Sequence, residues 1–87
     1  MTYTKDPNAV LDYAIDWTKW LNGDTIATSQ WTVPPGLTLT NQANTTTRTT
    51  AWLSGGSAGQ SYTVTNRITT AGGRTEDRSF IISVAER

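Results

Sequence analysis

The feature that most constrains this chain is the alternation of apolar and polar side chains along most of its length. From about residue 11 to residue 87, apolar residues recur at every second position in short runs, and Thr, which occurs 18 times, fills most of the polar positions between them. Strands with one buried and one solvated face show this period of two, and β-branched residues suit the solvated face. The pattern predicts an all-β fold.

Length and composition limit the domain organisation and the possible partners. With 87 residues, the chain is long enough for one β-sandwich domain over residues 1–87 with its own core. It contains no Cys, so no disulfide framework is expected, and it contains no His. Its net charge is zero, with a weak acidic excess in the first half and a weak basic excess in the second. This balance argues against electrostatic capture of nucleic acid or of a membrane surface.

Neither a signal peptide nor a membrane-spanning segment is predicted. Lys5 and Asp6 stand where the apolar core of a signal peptide would begin. No apolar run approaches the length that a transmembrane helix needs.

The segment of residues 9–17 is compatible with two structures. As a strand it places five side chains on one face: Ala9, Leu11, Tyr13, Ile15 and Trp17. As a helix it would begin with Asp6 as its cap and Pro7 in its first turn. We favour the strand, because Tyr and Trp favour strands and a helix would leave Tyr13 and Trp17 outside its apolar stripe. A single helical turn over residues 17–21 is compatible with this strand.

The rest of the chain contains further alternating runs separated by turn residues. The runs span residues 25–33, 37–39, 45–53, 62–69 and 80–84. A bulge near Thr28 would bring Ile26 into phase with its run, and Pro34-Pro35-Gly36 predicts a type II turn. Residues 41–44 are predicted to form a polar loop. The last two runs, on either side of Ala71-Gly72-Gly73, predict a long hairpin.

Six or seven strands at this spacing predict an immunoglobulin- or fibronectin-III-like β-sandwich. The residues that share the buried phase are predicted to form its core: Ile15, Val64, Ile68, Phe80, Ile82 and Val84. Tyr62 follows a glycine-rich corner and has two interpretations. It is either an ordinary core residue or a Tyr whose hydroxyl caps a backbone group across the connection between the sheets.

The residue types that usually carry catalysis are few. Without His, the Ser and Thr hydroxyls lack their usual base, and Lys5 and Lys19 lie in polar segments that do not favour a Ser–Lys pair. On a strand Asp12 and Asp16 would lie about 13 Å apart, beyond the roughly 5–9.5 Å of glycosidase carboxylate pairs. We favour solvated surface positions for these carboxylates. Calcium binding at Asp16 or Asp24 is the alternative. No catalytic residue, cofactor or metal site is predicted.

The four Trp residues fall into two groups. Trp17 and Trp31 share the phase of apolar neighbours and are predicted to lie in the core. Trp52 lies in the opposite phase to its apolar neighbours, and Trp20 follows the charged Lys19. An outward Trp can anchor a protein interface or form a platform for a sugar. The alternative is that each of these two merely covers an end of the sandwich.

Several motifs make the chain similar to a known family. In the first half they are Asp6-Pro7, LDYAIDW at residues 11–17, Trp20-Leu21, GDTI at residues 23–26 and Trp31. In the second half they are WLSGG at residues 52–56, Gly59, YTVTNRITT at residues 62–70, GRT at residues 73–75 and DRSF at residues 77–80. Together they resemble the small phage fibre–tail adaptor proteins over nearly the whole chain. The resemblance implies a non-enzymatic component of the phage tail or of its junction with the fibres.

The combined interpretation is an immunoglobulin-like sandwich that serves as a structural adaptor in a phage tail or fibre assembly. It would be made in the host cytoplasm and would bind other tail or fibre proteins, in several copies per virion. The candidate partner-binding residues are Trp20, Trp52, Arg67, Arg74 and Arg78, of which the Arg residues are available for ion pairs at the rim of an interface. A carbohydrate-binding module with exposed Trp and a capsid decoration domain are the alternatives.

Overall fold

The alternating runs form strands that are arranged in two sheets. The computed structural model describes residues 2–86, which contain seven strands and one short helix. In chain order these are β1 (Thr2–Lys5), β2 (Leu11–Asp16), α1 (Thr18–Leu21), β3 (Ile26–Thr32), β4 (Leu37–Asn44), β5 (Arg48–Gly55), β6 (Ser61–Thr70) and β7 (Thr75–Val84). The sheets have the strand orders β1-β7-β6-β3 and β2-β5-β4. The predicted all-β sandwich is confirmed.

The core consists of two groups of buried side chains between the sheets. The larger group comprises Tyr13, Leu37, Ala51, Leu53, Val64, Phe80, Ile82 and Val84. The smaller group, near α1, comprises Trp17, Leu21, Ile26 and Ile68. Of the six residues predicted to form the core from their shared phase, only Ile15 is not buried; it is half-buried because it faces a cleft beside the edge strand β2. Trp17 is fully buried as predicted, and Trp31 is half-buried against the larger group.

The predicted turns and irregularities are present. The pairing of β3 with β6 shifts register between Ile26 and Thr28, as a bulge requires. Gly36 has a φ of +103°, and the Leu37 N–H donates to the Pro34 carbonyl at 3.3 Å, as in a type II turn. The strands β6 and β7 form the long hairpin. The strand over residues 11–16 is followed by the single helical turn α1.

The structure also corrects the sequence analysis in the strand bounds and at an edge residue. Residues 41–44 are not a loop, because β4 continues pairing with β5 as far as Asn44, beyond an irregularity between Leu39 and Asn41. The strand β1 was not predicted; it is only four residues long and pairs in parallel with the end of β7. Leu11, assigned to the buried face, is 41% exposed at the start of the edge strand β2.

Lys5 lies in the interior rather than in a solvated segment. Its side chain is fully buried, and its Nζ donates to the carbonyl oxygens of Asp6 at 2.9 Å and of Gly55 at 2.8 Å. Burial lowers the pKa of the Lys5 ammonium, because the charged form loses its hydration. The bond to Gly55 joins β1 of one sheet to β5 of the other.

Tyr62 caps a backbone group, which confirms the second interpretation of this residue. Its hydroxyl accepts a hydrogen bond of 3.0 Å from the Ser57 N–H in the glycine-rich corner. Its ring lies so close to the type II turn that a Cβ at Gly36 would be 2.8 Å from Tyr62 Cε1. The side chain therefore joins this turn to the corner that leads into β6.

Candidate protein-binding surface

Trp52 lies on the outer face of the three-stranded sheet. It alternates with the buried Ala51 and Leu53 on the central strand β5 and is itself half-buried. In the ladder it stands opposite Asp12 of β2 and Asn41 of β4. The outward phase inferred from the sequence therefore matches the position of Trp52 in the structure.

The row beside Trp52 carries only short side chains. Thr50, two residues earlier on β5, stands opposite Ala14 of β2 and Ala43 of β4. We call the six residues Asp12, Ala14, Asn41, Ala43, Thr50 and Trp52 the Trp52 face. Its one large apolar side chain is surrounded by small and polar neighbours, which is the composition expected of a compact contact patch.

Trp20 is partly covered by the protein itself. It is half-buried on α1, and its ring meets the Trp17 ring edge-to-face with centroids 5.5 Å apart. The Arg74 guanidinium carbon lies 4.3 Å from the centroid of the Trp20 ring, within cation–π distance. The role of Trp20 in partner binding stays a prediction, and Trp17 and Arg74 already cover part of its ring.

Arg74 connects the C-terminal end of α1 to the β6–β7 turn. Its Nη2 donates to the Leu21 carbonyl at 2.6 Å, and its Nε lies 3.2 Å from Asp24 Oδ2. Asp24 also accepts hydrogen bonds from the Thr25 and Gly72 N–H groups. The Thr70 side chain, these N–H groups and Arg74 all donate hydrogen bonds to the Asp24 carboxylate. These bonds lower the pKa of Asp24 to about 2. Arg74 thus makes an internal ion pair.

Arg67 is likewise paired within the chain. It lies opposite Asp77 in the β6–β7 hairpin, with Nε–Oδ1 and Nη2–Oδ2 distances of 2.8 Å and 3.1 Å. This fork of two hydrogen bonds raises the pKa of Arg67 and lowers that of Asp77. The pair is exposed on the outer face of the four-stranded sheet, on the opposite side of the sandwich from Trp52.

Arg78 differs from the other two Arg residues. Its guanidinium carbon lies 4.4 Å from the centroid of the Trp17 ring, and its Nη1 is 3.4 Å from the Asp16 carbonyl oxygen. Among the described residues it makes no ion pair. The five candidates therefore do not form one site: Trp20 and Arg74 meet at α1, while the other three lie on separate parts of the surface.

A cleft beside Ile15 was not indicated by the sequence. It has a volume of about 350 Å³ and opens between β2 and β7, with Tyr3, Ile15 and Phe80 as its apolar walls and Asp16 and Arg78 at one end. Its walls come from three strands that are distant in the chain, so no local motif marks it. The sequence contained only a weak signal for this cleft. Apolar side chains occur on segments that lie at a sheet edge or pair over only a few residues, as β2 and β1 do.

The acidic residues form no metal centre in the part of the chain that the structure describes. No three of them lie close enough together to hold an ion in residues 2–86. Asp16 accepts hydrogen bonds from the Thr18 hydroxyl and N–H, which lower the pKa of its carboxyl. No helix within residues 2–86 has the length and hydropathy needed to cross a membrane.

Comparison with known proteins assigns the chain to a family. Residues 5–83 match the family described as podophage GP4 fiber-tail adaptor protein gp77. This range begins at the last residue of β1 and ends one residue before the end of β7. No curated protein matches the chain. Because the match covers most of the sandwich, the chain belongs to the podophage fibre–tail adaptor family.

Proposed function

We propose that the chain is a non-enzymatic structural adaptor of a phage virion, which joins the tail to fibres or to other tail proteins. The family match over residues 5–83 is the observation that carries this proposal. It also favours a position in the tail over decoration of the capsid. The protein would be made in the host cytoplasm and assembled in several copies.

The connectivity of the strands supports an immunoglobulin-like scaffold for this role. The hairpin of β6 and β7 is flanked by β3 on one side and by the parallel β1 on the other, while β5 lies between β2 and β4. This arrangement resembles the two sheets of immunoglobulin domains. Such a scaffold offers its faces and edges to partners.

The Trp52 face is the surface that we propose for partner contact. A few central residues carry most of the binding energy of an interface, and Trp is enriched among them. Trp52 occupies the centre of the middle strand, with Asp12 and Asn41 on either side able to form hydrogen bonds at the border of the contact. The short side chains of Ala14 and Ala43 allow a partner to approach the sheet closely.

The chemistry of the titratable groups supports a binding role rather than catalysis. The carboxyls of Asp16 and Asp24 have lowered pKa values, so they are poor proton donors near neutral pH. Both hydrogen bonds described for the Lys5 Nζ go to backbone carbonyl oxygens. In these contacts Lys5 meets no hydroxyl group that it could activate as a nucleophile. We expect no hydrolysis of peptidoglycan or capsule polysaccharide. Turnover that disappears in Asp12→Asn or Asp16→Asn would contradict this.

A carbohydrate-binding module is the second candidate function. Its support is the juxtaposition of the Trp52 ring with Asp12 and Asn41, since sugar sites combine an aromatic platform with hydrogen-bonding groups. Two measurements separate the candidates: the protein composition of purified virions and the retention of the chain on a glycan array. The adaptor proposal predicts several copies per virion and no retention on glycans. Absence from the virion, with glycan retention that is lost in Trp52→Ala, would support the carbohydrate module instead.

A further inference from the structure

Half of β7 has an open edge. β1 pairs with β7 only from Ile81 to Val84, whereas β7 begins at Thr75. Within residues 2–86, no strand pairs with the remaining half on that side. The Asp77 N–H donates to its neighbour Glu76 Oε1 at 3.2 Å. The Asp77 N–H therefore points to the open edge and not to β6. In an antiparallel ladder alternate residues point their backbone groups to the same side, so the N–H groups of Thr75 and Ser79 also point to the open edge.

The cleft described above runs beside this open edge. Tyr3, Ile15 and Phe80 give it apolar walls, and its volume of about 350 Å³ accommodates a large side chain. Behind the walls lies Tyr13, whose ring centroid is 5.0 Å from that of Tyr3 and 5.7 Å from that of Phe80. Tyr13 is 7% exposed, and its hydroxyl has no hydrogen-bond partner within the described chain. Backbone donors and an apolar recess thus occur side by side.

Charged side chains of both signs meet at the end of the cleft, where Asp16 and Arg78 belong to its lining. Arg78 makes no ion pair among residues 2–86, and Arg48 stands opposite Asp16 in the β2–β5 ladder. The Asp16 carboxylate is already held by hydrogen bonds from Thr18. One carboxylate therefore faces two guanidinium groups. An acidic side chain supplied from outside would complement this charge.

We propose that the cleft receives an extended segment of a partner tail or fibre subunit, which adds to the open edge of β7 as a further strand. The segment would place an apolar side chain between Tyr3, Ile15 and Phe80 and a carboxylate beside Arg78. In this mode of recognition, main-chain hydrogen bonds supply affinity and the alternate side chains supply specificity. The inference rests on the proposed adaptor function and adds to it the chemistry of the partner segment.

The first test is photocrosslinking in intact virions. In the test variant, p-benzoylphenylalanine replaces Ser79 on the open edge. In the matched control it replaces Gln30 on β3, at the opposite edge of the same sheet. Both residues are exposed. We expect position 79, and not position 30, to crosslink to one segment of a tail or fibre subunit. No crosslink at position 79 in virions that contain the chain, or a crosslink to a second copy of the chain, would overturn the inference. Absence of the wild-type chain from virions would instead overturn the adaptor function itself.

The second test uses a synthetic peptide with the sequence of the crosslinked segment. Binding to the full chain should slow hydrogen exchange of the Asp77 and Ser79 amides at least about tenfold. Ser79→Pro removes an edge donor but no backbone hydrogen bond to β6; on that side it loses only the exposed 2.8 Å bond between Ser79 Oγ and Thr65 Oγ1. It should weaken the affinity at least about tenfold. Arg78→Glu should weaken it similarly, while Arg78→Lys should retain most of it. Peptide binding that leaves these amides unprotected and is unaffected by Ser79→Pro would contradict strand addition.

Discussion

The indole Nε1 of Trp17 donates a hydrogen bond of 3.2 Å to Asn66 Oδ1 in the centre of the sandwich, where both side chains are fully buried. The Thr49 hydroxyl of the opposite sheet donates to the same oxygen at 2.7 Å. The Asn66 Nδ2 donates to Ser29 Oγ at 2.9 Å and to the Gln30 carbonyl at 3.0 Å. This network links β3, β5 and β6, and it satisfies polar groups that would otherwise be costly to bury.

Asn66→Ala should therefore destabilise the fold strongly. The substitution removes the acceptor of the buried Thr49 hydroxyl, leaves the Trp17 Nε1 with its 3.2 Å bond to Thr49 Oγ1 alone and opens a small cavity. We expect a cost of about 2–4 kcal/mol in the free energy of unfolding. Urea denaturation followed by Trp fluorescence measures this change. The matched control is Asn44→Ala, at an exposed Asn whose amide bonds only to the adjacent Thr45 carbonyl; its effect should stay within about 0.5 kcal/mol. Equal effects of the two substitutions would contradict the role assigned to the network.

Two Tyr→Phe substitutions should have opposite effects on stability. Tyr62→Phe removes the acceptor of the Ser57 N–H and should lower the free energy of unfolding by about 0.5–1.5 kcal/mol. Tyr13→Phe removes a buried hydroxyl that has no partner within the described residues, so it should be neutral or stabilising. Thermal unfolding of the two variants and the wild type compares them directly. A larger loss for Tyr13→Phe than for Tyr62→Phe would show that the Tyr13 hydroxyl is satisfied after all.

The contribution of Asp24 to stability should depend on pH in the acid range. Its pKa of about 2 in the folded state lies below the unfolded value of about 3.9. The ionised carboxylate therefore stabilises the fold fully above pH ~4, and this contribution is lost as the pH falls towards 2. The melting temperature of the wild type should exceed that of Asp24→Asn at pH 6, and the difference should shrink between pH 4 and pH 2. A difference that stays constant down to pH 2 would contradict the assignment.

The alternation predicted most of the fold, because it reports which positions face the core. It predicted that Val64 and Ile68 are buried, a phase that the buried Asn66 shares, and it placed Trp52 outside. It failed where backbone pairing rather than burial defines the strand. The four residues of β1 are held by the ladder to β7, and the exposed end of β4 is held by the ladder to β5.

The surroundings of the candidate site residues were less predictable than their phases. The Arg67–Asp77 pair follows from the register of the β6–β7 hairpin, in which the two residues stand opposite each other. It could have been predicted from the sequence by assigning this register to residues 61–84. The contacts of Arg74 with Asp24 and Leu21 join positions about fifty residues apart and depend on how α1 folds against the β6–β7 turn. The burial of Lys5 has the same origin, since its acceptor Gly55 lies on the other sheet.

The most direct test of the adaptor account is the number of copies of the Trp52→Ala chain in purified virions. Truncation of a central interface Trp commonly costs about 2 kcal/mol or more, roughly thirtyfold in affinity. We therefore expect a marked loss of the Trp52→Ala chain from virions and a smaller loss of the Trp20→Ala chain. Thr63→Ala, at an exposed position on the other sheet, is the control and should assemble normally.

Each variant must first be shown to melt near the wild-type temperature, so that a loss of assembly reports a lost contact and not a lost fold. Trp52→Phe, which keeps an aromatic ring, should restore much of the incorporation. The account predicts a folded Trp52→Ala chain that is depleted from virions. A folded Trp52→Ala chain that is incorporated at the wild-type level would contradict it.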